Sequence, residues 1–175
     1  MNAPMNPADV YAYLVRTRRD LWAALEQVPD DVLSRPMLDG ERFHSIKDLV
    51  FHVAAVEDGW LHEDIRRLPP VLDTFPALAA TTGGPEYAHF ALRDLLDYWQ
   101  AVEASTHGYL TTLNTEELTR VVTVHDAPDE RYTVSGLFNH VMFHEMRHTA
   151  QICMLLRMQG VAPPSLDLLF YLPRM

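Results

Sequence analysis

Residues 133–158 read Thr-Val-Ser-Gly-Leu-Phe-Asn-His-Val-Met-Phe-His-Glu-Met-Arg-His-Thr-Ala-Gln-Ile-Cys-Met-Leu-Leu-Arg-Met. Stepping through them by alternating fours and threes picks out Leu137, Val141, His144, His148, Gln151, Leu155 and Met158. That spacing marks one face of a helix. The helix starts near Thr133 or Ser135 and ends near Met158, with Gly160 suited to the position after the last turn and Pro163 and Pro164 preventing continuation. Its apolar seam turns polar in the middle.

The same break occurs upstream. Leu49, His52 and Val56 share the helical spacing inside the run Leu49-Val50-Phe51-His52-Val53-Ala54-Ala55-Val56. That run is apolar around most of its circumference, so His52 has few ways to avoid burial. Ser45, with Asp48 three positions on, forms a capping-box pattern that opens this helix, and Pro69 and Pro70 close it after about Arg67. Two more helices follow from periodicity. The first runs from about Pro7, behind an Asn6 cap, to Val28 through Val10, Leu14, Leu21 and Leu25. The third runs from Pro85 to near Asn114 through Leu92, Leu95, Leu96, Trp99, Val102, Leu110 and Leu113. Helices of this length belong in a bundle, and the expected class is all-α, a single four-helix domain over residues 1–175. Residues 69–85, with four prolines and Gly83-Gly84, read as a long crossover loop. Val121, Val122 and Val124 before Asp126-Ala127-Pro128-Asp129 read as a small hairpin or an extended loop ahead of the last helix. The apolar tail Leu166 to Tyr171 is expected to pack on the bundle or on a partner chain.

Three histidines thus point into one interior. Each buried imidazole needs partners for both ring nitrogens, and an unpaired polar group costs about 1–3 kcal/mol. A metal ion answers that need. Neutral imidazole is a good ligand for several divalent metals, and side chains four apart on a helix can share an ion. The third ligand then comes from another helix, as bundle-core sites require. The candidate metal ligands are His52, His144 and His148. His140 is also four residues from His144, but the outer pair His140 and His148 lies about 12 Å apart along the axis, too far for one ion. Position 141, not 140, falls on the seam, so His140 reads as a structural neighbour of the site. His44, His62, His89, His107 and His125 read as surface or loop residues. Glu57, Tyr98, Trp99 and Glu103 are candidates for the pocket around the site or for core and solvent-facing positions. No catalytic residue is assigned.

His144-Glu145-Met146-Arg147-His148 also matches H-E-x-x-H, in which two histidines hold zinc and the glutamate is a general base. No His-x-x-Gly-x-x-His continuation follows, and no glutamate follows Glu145 to act as third ligand. Asp167 serves only in an aspartate-type variant of that site. A zinc peptidase therefore stands as a lesser alternative.

Composition narrows the classes further. The chain is 48% hydrophobic and 22% charged, the balance of a globular protein. Its formal net charge of -10, from 14 basic and 24 acidic side chains, repels a polyphosphate, so nucleic acid is not an expected partner. Arg16, Arg18 and Arg19 read as a solvated helix face. Cys153 is the only cysteine, which rules out an internal disulfide and a thiolate-rich metal site. No apolar run reaches the roughly 20 residues of a membrane span, and Met1 to Pro7 lacks the features of a secretory leader. No membrane association is expected, and the expected location is the cytoplasm.

Taken together the residues resemble the DinB-like or YfiT-like metal-binding superfamily. The likeness rests on Ser45-Ile46-Lys47-Asp48-Leu49-Val50-Phe51-His52 and on the His-x-x-x-His-x-x-Gln run from His144 to Gln151. It covers almost the whole chain. Where the family often has Arg-Gly before the glutamine, this chain has Thr149-Ala150. The resemblance implies a DinB-type four-helix bundle with His52, His144 and His148 as ligands of one divalent ion, Zn, Ni, Fe or Mn. It further implies a metal-dependent enzyme that activates a low-molecular-weight thiol cosubstrate, or water, for transfer or hydrolysis of a small molecule. The alternative is a metal-binding stress-response protein without catalysis. A homodimer is the expected assembly.

Overall fold

The computed structural model describes residues 7–37, 43–81 and 86–172. Four long helical segments form the body: α1 (Pro7–Leu25), then, past the single turn α2 (Asp30–Leu33), α3 (Ile46–Asp58), α5 (Leu92–Leu110) and α7 (Val134–Met158). Two short helices, α4 (Pro76–Ala79) and α6 (Thr115–Thr119), lie in the connections. The protein is all-α but for one hairpin, β1 (Val121–Thr123) with β2 (Arg131–Thr133), paired antiparallel with Val122 opposite Tyr132.

Local chemistry sets the ends of these elements. At α3 the Ser45 hydroxyl accepts from the Asp48 amide at 3.1 Å, and Asp48 accepts from the Ser45 amide at 3.0 Å, a complete capping box. Asp48 also accepts from the Tyr87 amide at 2.9 Å, which ties the crossover to the start of α3. At α7 the Thr133 hydroxyl accepts from the Gly136 amide at 3.1 Å. Gly160, at φ 77, takes the left-handed conformation that follows a helix end. The hairpin leads from Thr133 straight into α7 and so fixes where that helix begins.

α3 packs against both α5 and α7, and α1 packs against α7 and α5. One apolar cluster gathers Leu21, Leu25, Ile46, Val50, Trp99, Ile152 and Leu156. A second gathers Tyr11, Leu14, Leu61, Val134, Leu137 and Phe138. Along α1, Arg18 falls between Leu14 of the second and Leu21 of the first.

Several expectations change. Beyond Asp58 the second long helix continues as a π-helix, Gly59–Arg66, and stops where Arg67 turns left-handed at φ 55. The third begins at Leu92, after a 3-10 turn at Tyr87–His89 and an extended Ala91. The crossover is partly structured, with a 3-10 turn at Val71–Thr74 before α4. Met158, the last position of the α7 seam, is 63% exposed, so the buried stripe ends at Leu155. Arg18 is 1% exposed and His62 is 4% exposed, so neither is the surface residue expected from the sequence. The cap, turn and helix start expected at Asn6, Gly83-Gly84 and Pro85 lie outside the described residues. Among the described residues no helix is long and apolar enough to cross a membrane.

Candidate metal centre

His52 comes from the middle of α3, and His144 and His148 from successive turns of α7. Their ring centroids are 4.8 Å (His52 to His144), 4.8 Å (His52 to His148) and 4.3 Å (His144 to His148) apart. One ligating nitrogen of each lies within 4.8 Å of the others. The His52 and His144 Nε2 atoms are 3.1 Å apart. Two ligands on a tetrahedral ion with bonds of about 2.1 Å stand about 3.4 Å apart, so this pair is already near ligand spacing. The His148 ring lies 4.8 Å from that of His52 and 4.3 Å from that of His144 by centroid.

The electrostatics favour neutral donors. Burial, followed by the neighbouring His148, His52 and His140, pulls the His144 imidazolium down to about 3. Burial also lowers His148. His148 Nδ1 donates to Gln151 Oε1 at 2.6 Å, which leaves the Nε2 lone pair for a ligand role, the usual means of orienting a ligating histidine. Phe43 stacks on His52 at 3.9 Å and meets His148 edge-on at 6.3 Å, covering the pair from the connection before α3. His140 is exposed, its ring 5.8 Å from His144 and 5.5 Å from Trp60. It is not a member of the converging set.

Glu145 points elsewhere. Both its oxygens take hydrogen bonds from Arg18, Nε to Oε1 at 2.7 Å and Nη2 to Oε2 at 2.6 Å. Arg18 also reaches Glu57 Oε2 at 2.7 Å, Glu103 Oε2 at 3.2 Å and the Tyr11 hydroxyl at 3.1 Å. Tyr11 and Thr106 each donate to Glu57 Oε1 at 2.6 Å, and Arg19 pairs with Glu103. Burial raises the Glu145 carboxyl above its ordinary value, with Arg18 opposing. Burial likewise works against the charge of Arg18, but Glu145 and Glu57 outweigh it and hold the guanidinium well above its ordinary value. The glutamate of the H-E-x-x-H match is thus a core ion-pair residue. It is not aimed at the histidines as a base.

Of the residues singled out from sequence, the fold brings His52, His144 and His148 together and leaves His140 beside them. Glu57 and Glu103 join the Arg18 network, while Tyr98 and Trp99 are fully buried core residues. The network was not foreseen from sequence, although the signal was present. Leu14, Arg18, Leu21 and Leu25 follow the stepping by fours and threes that exposes the histidines, as do Val50, Ala54, Glu57 and Leu61.

Fold and site together define a helical-bundle protein with three histidines positioned between two of its helices to hold a metal ion. The chain belongs to the DinB family, whose model matches residues 1–174. A crystal structure titled as that of a conserved protein from Enterococcus faecalis has the same fold. Its TM-score is 0.69 at 18% identity, over 89% of this chain and 97% of that one. No curated protein matches the sequence.

Proposed function

We propose that the protein binds one divalent transition-metal ion through His52, His144 and His148 and uses it to activate a low-molecular-weight thiol for transfer to a small electrophile. The observation that carries this reading is the convergence of three imidazoles from two helices, with His144 kept neutral down to about pH 3. When bound, an ion held by three imidazoles has open positions at which a thiol or a water is deprotonated near neutral pH. The residues around the histidines have separable tasks. Gln151 fixes the ring of His148, and Phe43 shields the His52 side from water. Along the face of α3 that carries His52, an open cavity of ≈ 300 Å³ is lined by residues that include Val56, Trp60 and His125 and the carboxylates of Glu63, Asp64 and Asp126. Its size suits a small molecule.

Non-catalytic metal storage or sensing in a stress response is the competing reading. Protein made without a histidine tag, loaded in turn with Zn, Ni, Fe or Mn, separates the two when assayed with a panel of thiols and an electrophile. The proposal expects chelator-sensitive thioether formation that His52→Ala abolishes together with metal uptake. Stoichiometric metal uptake without turnover supports the non-catalytic reading. No uptake by the parent protein overturns both.

A homodimer belongs to the same proposal. Phe143 (64% exposed) and Met154 (49%) stand on the outer face of α7, and Leu169 (74%) and Phe170 (65%) point outward from the tail. The tail itself is held on α1, where Tyr13 donates to the Leu166 carbonyl and Arg16 donates to the Tyr171 carbonyl at 2.8 Å. Association of two copies would cover apolar surface that the single chain leaves in water.

A further inference from the structure

The π-helical segment Gly59–Arg66 carries a second polar array that the metal centre does not use. Asp58, at its N-terminal edge, is 1% exposed and held on every side. It accepts from the Val71 and Leu72 amides at 2.9 Å each, from the Tyr98 hydroxyl at 2.8 Å, and from His62 Nδ1 at 2.7 Å. His62, itself 4% exposed, places its other nitrogen, Nε2, 2.8 Å from Ser105 Oγ on α5. Arg66 Nη1 donates to the same Ser105 Oγ at 3.1 Å, with its guanidinium over the Tyr109 ring at 5.8 Å. The array therefore runs from a dry, fixed carboxylate through an imidazole to a hydroxyl that is only half-buried.

We propose that Ser105 is an activated nucleophile, with His62 as its general base and Asp58 as the residue that orients the base, and that it takes acyl groups from small activated carboxylic esters. The geometry is that of a hydroxyl, an imidazole and a carboxylate within hydrogen-bond reach in series, a constellation recognised by roles and distances on unrelated folds. Asp58 fixes the tautomer with the proton on Nδ1, so Nε2 is an acceptor, with Ser105 Oγ at 2.8 Å and Arg66 Nη1 farther off at 3.5 Å. Pinning of the Val71–Thr74 turn and of Tyr98 accounts for the carboxylate alone. It does not require a serine hydroxyl on the far nitrogen, or a cation on that hydroxyl. π-Helical turns are rare and are frequent at functional sites, and this segment brings both His62 and Arg66 to Ser105.

The chemistry balances with ester and water alone. Ser105 Oγ attacks the ester carbonyl carbon while its proton passes to His62 Nε2, and the negative charge on the carbonyl oxygen is opposed by the Arg66 guanidinium. The bond to the leaving alcohol breaks, and the alcohol departs with the proton from His62. Water then attacks the acyl-serine, giving its proton to Nε2, and the carboxylic acid leaves as the Ser105 hydroxyl is restored. His62 is ten residues from His52, and the six α-helical steps from His52 to Asp58 alone span about 9 Å, so this centre is separate from the metal ligands.

An alkyl fluorophosphonate probe tests the assignment directly, since it forms an Oγ–P bond only with an activated hydroxyl and releases fluoride. The full chain should gain a single adduct that peptide mapping places on Ser105, and it should hydrolyse p-nitrophenyl acetate. Ser105→Ala should lose both activities while keeping the parental circular dichroism. A folded His62→Gln should react at least about 100-fold more slowly, the scale of general-base assistance. Absence of an adduct on Ser105 in the parent protein overturns the proposal without recourse to any variant. So does a folded His62→Gln that is labelled at the parental rate.

Discussion

His140 and His148 stand equally far in sequence from His144, but only His148 is buried with its second nitrogen bonded to Gln151, while His140 is exposed beside Trp60. His148→Ala should therefore weaken Zn and Ni binding far more than His140→Ala, the latter by no more than the 10–100-fold typical of a residue beside the ligands. Calorimetric titration of the two apo variants decides it, and a larger loss for His140→Ala would move the site one turn toward the start of α7. Arg18 offers a second test at this scale. Arg18→Met removes the cation shared by Glu57, Glu103 and Glu145 and should cost about 3–5 kcal/mol in urea unfolding, as breaking a buried ion pair does. Both features are polar residues on an apolar helical stripe. The histidines were legible because an imidazole on such a stripe is forced inward and must find a partner for each ring nitrogen. Arg18 was not, because arginine neighbours at positions 16 and 19 made the local stretch look solvated, and its partners are 39, 85 and 127 residues away.

At the scale of elements, the capping box at Ser45 and Asp48 and the Thr133 start and Gly160 stop of α7 were readable, because each rests on contacts within a few residues, whereas the hairpin, which pairs Val121 with Thr133, stood open against an extended loop. The π-helix was not. Its Gly59–Arg66 sequence carries no local mark, and its course is set by distant partners such as Ser105 and the Val71 and Leu72 amides. The Tyr87–His89 turn and late start of α5 escaped for a similar reason, since Asp48 holds the Tyr87 amide across the fold. α6 supplies a pH test. The Arg120 guanidinium, hydrogen-bonded to Glu117 at 2.7 and 2.6 Å, holds that carboxyl down at about 2, with the Tyr109 hydroxyl assisting. A depressed carboxylate stabilises the fold above its unfolded value near 4.5, and that contribution is lost as pH falls from there toward 2. The pair is partly exposed, so screening by solvent keeps the effect on stability small. The expected outcome is a Glu117 side-chain NMR titration with a midpoint near 2, and Glu117→Gln should reduce the acid sensitivity of α6 itself. A midpoint above about 4, the range of an unperturbed glutamate, would mean that the pair does not persist in solution.

For the whole molecule, the all-α class and the long helices followed from periodicity, whereas the way α3 meets both α5 and α7 came only with the fold. Light scattering tests the proposed dimer. Twice the chain mass of 20.0 kDa is expected at micromolar concentration, and Phe143→Glu should shift the population toward monomer. A constant mass of one chain over a wide concentration range would count against it. The Arg18 cluster bears on a different matter, how far folding would depend on the ion proposed for the histidines. A bundle interior with glutamates from three helices would ordinarily need an outside cation to fold, as small zinc domains do. Here the neutralising cation is covalently part of the chain and cannot be withdrawn by a chelator. The histidine cluster, by contrast, is built from imidazoles, two of them only half-buried. Treatment with EDTA should leave the circular dichroism unchanged and lower the melting temperature only by the mass-action contribution of the bound ion. The protein would then persist folded through metal starvation, ready to load when the ion returns.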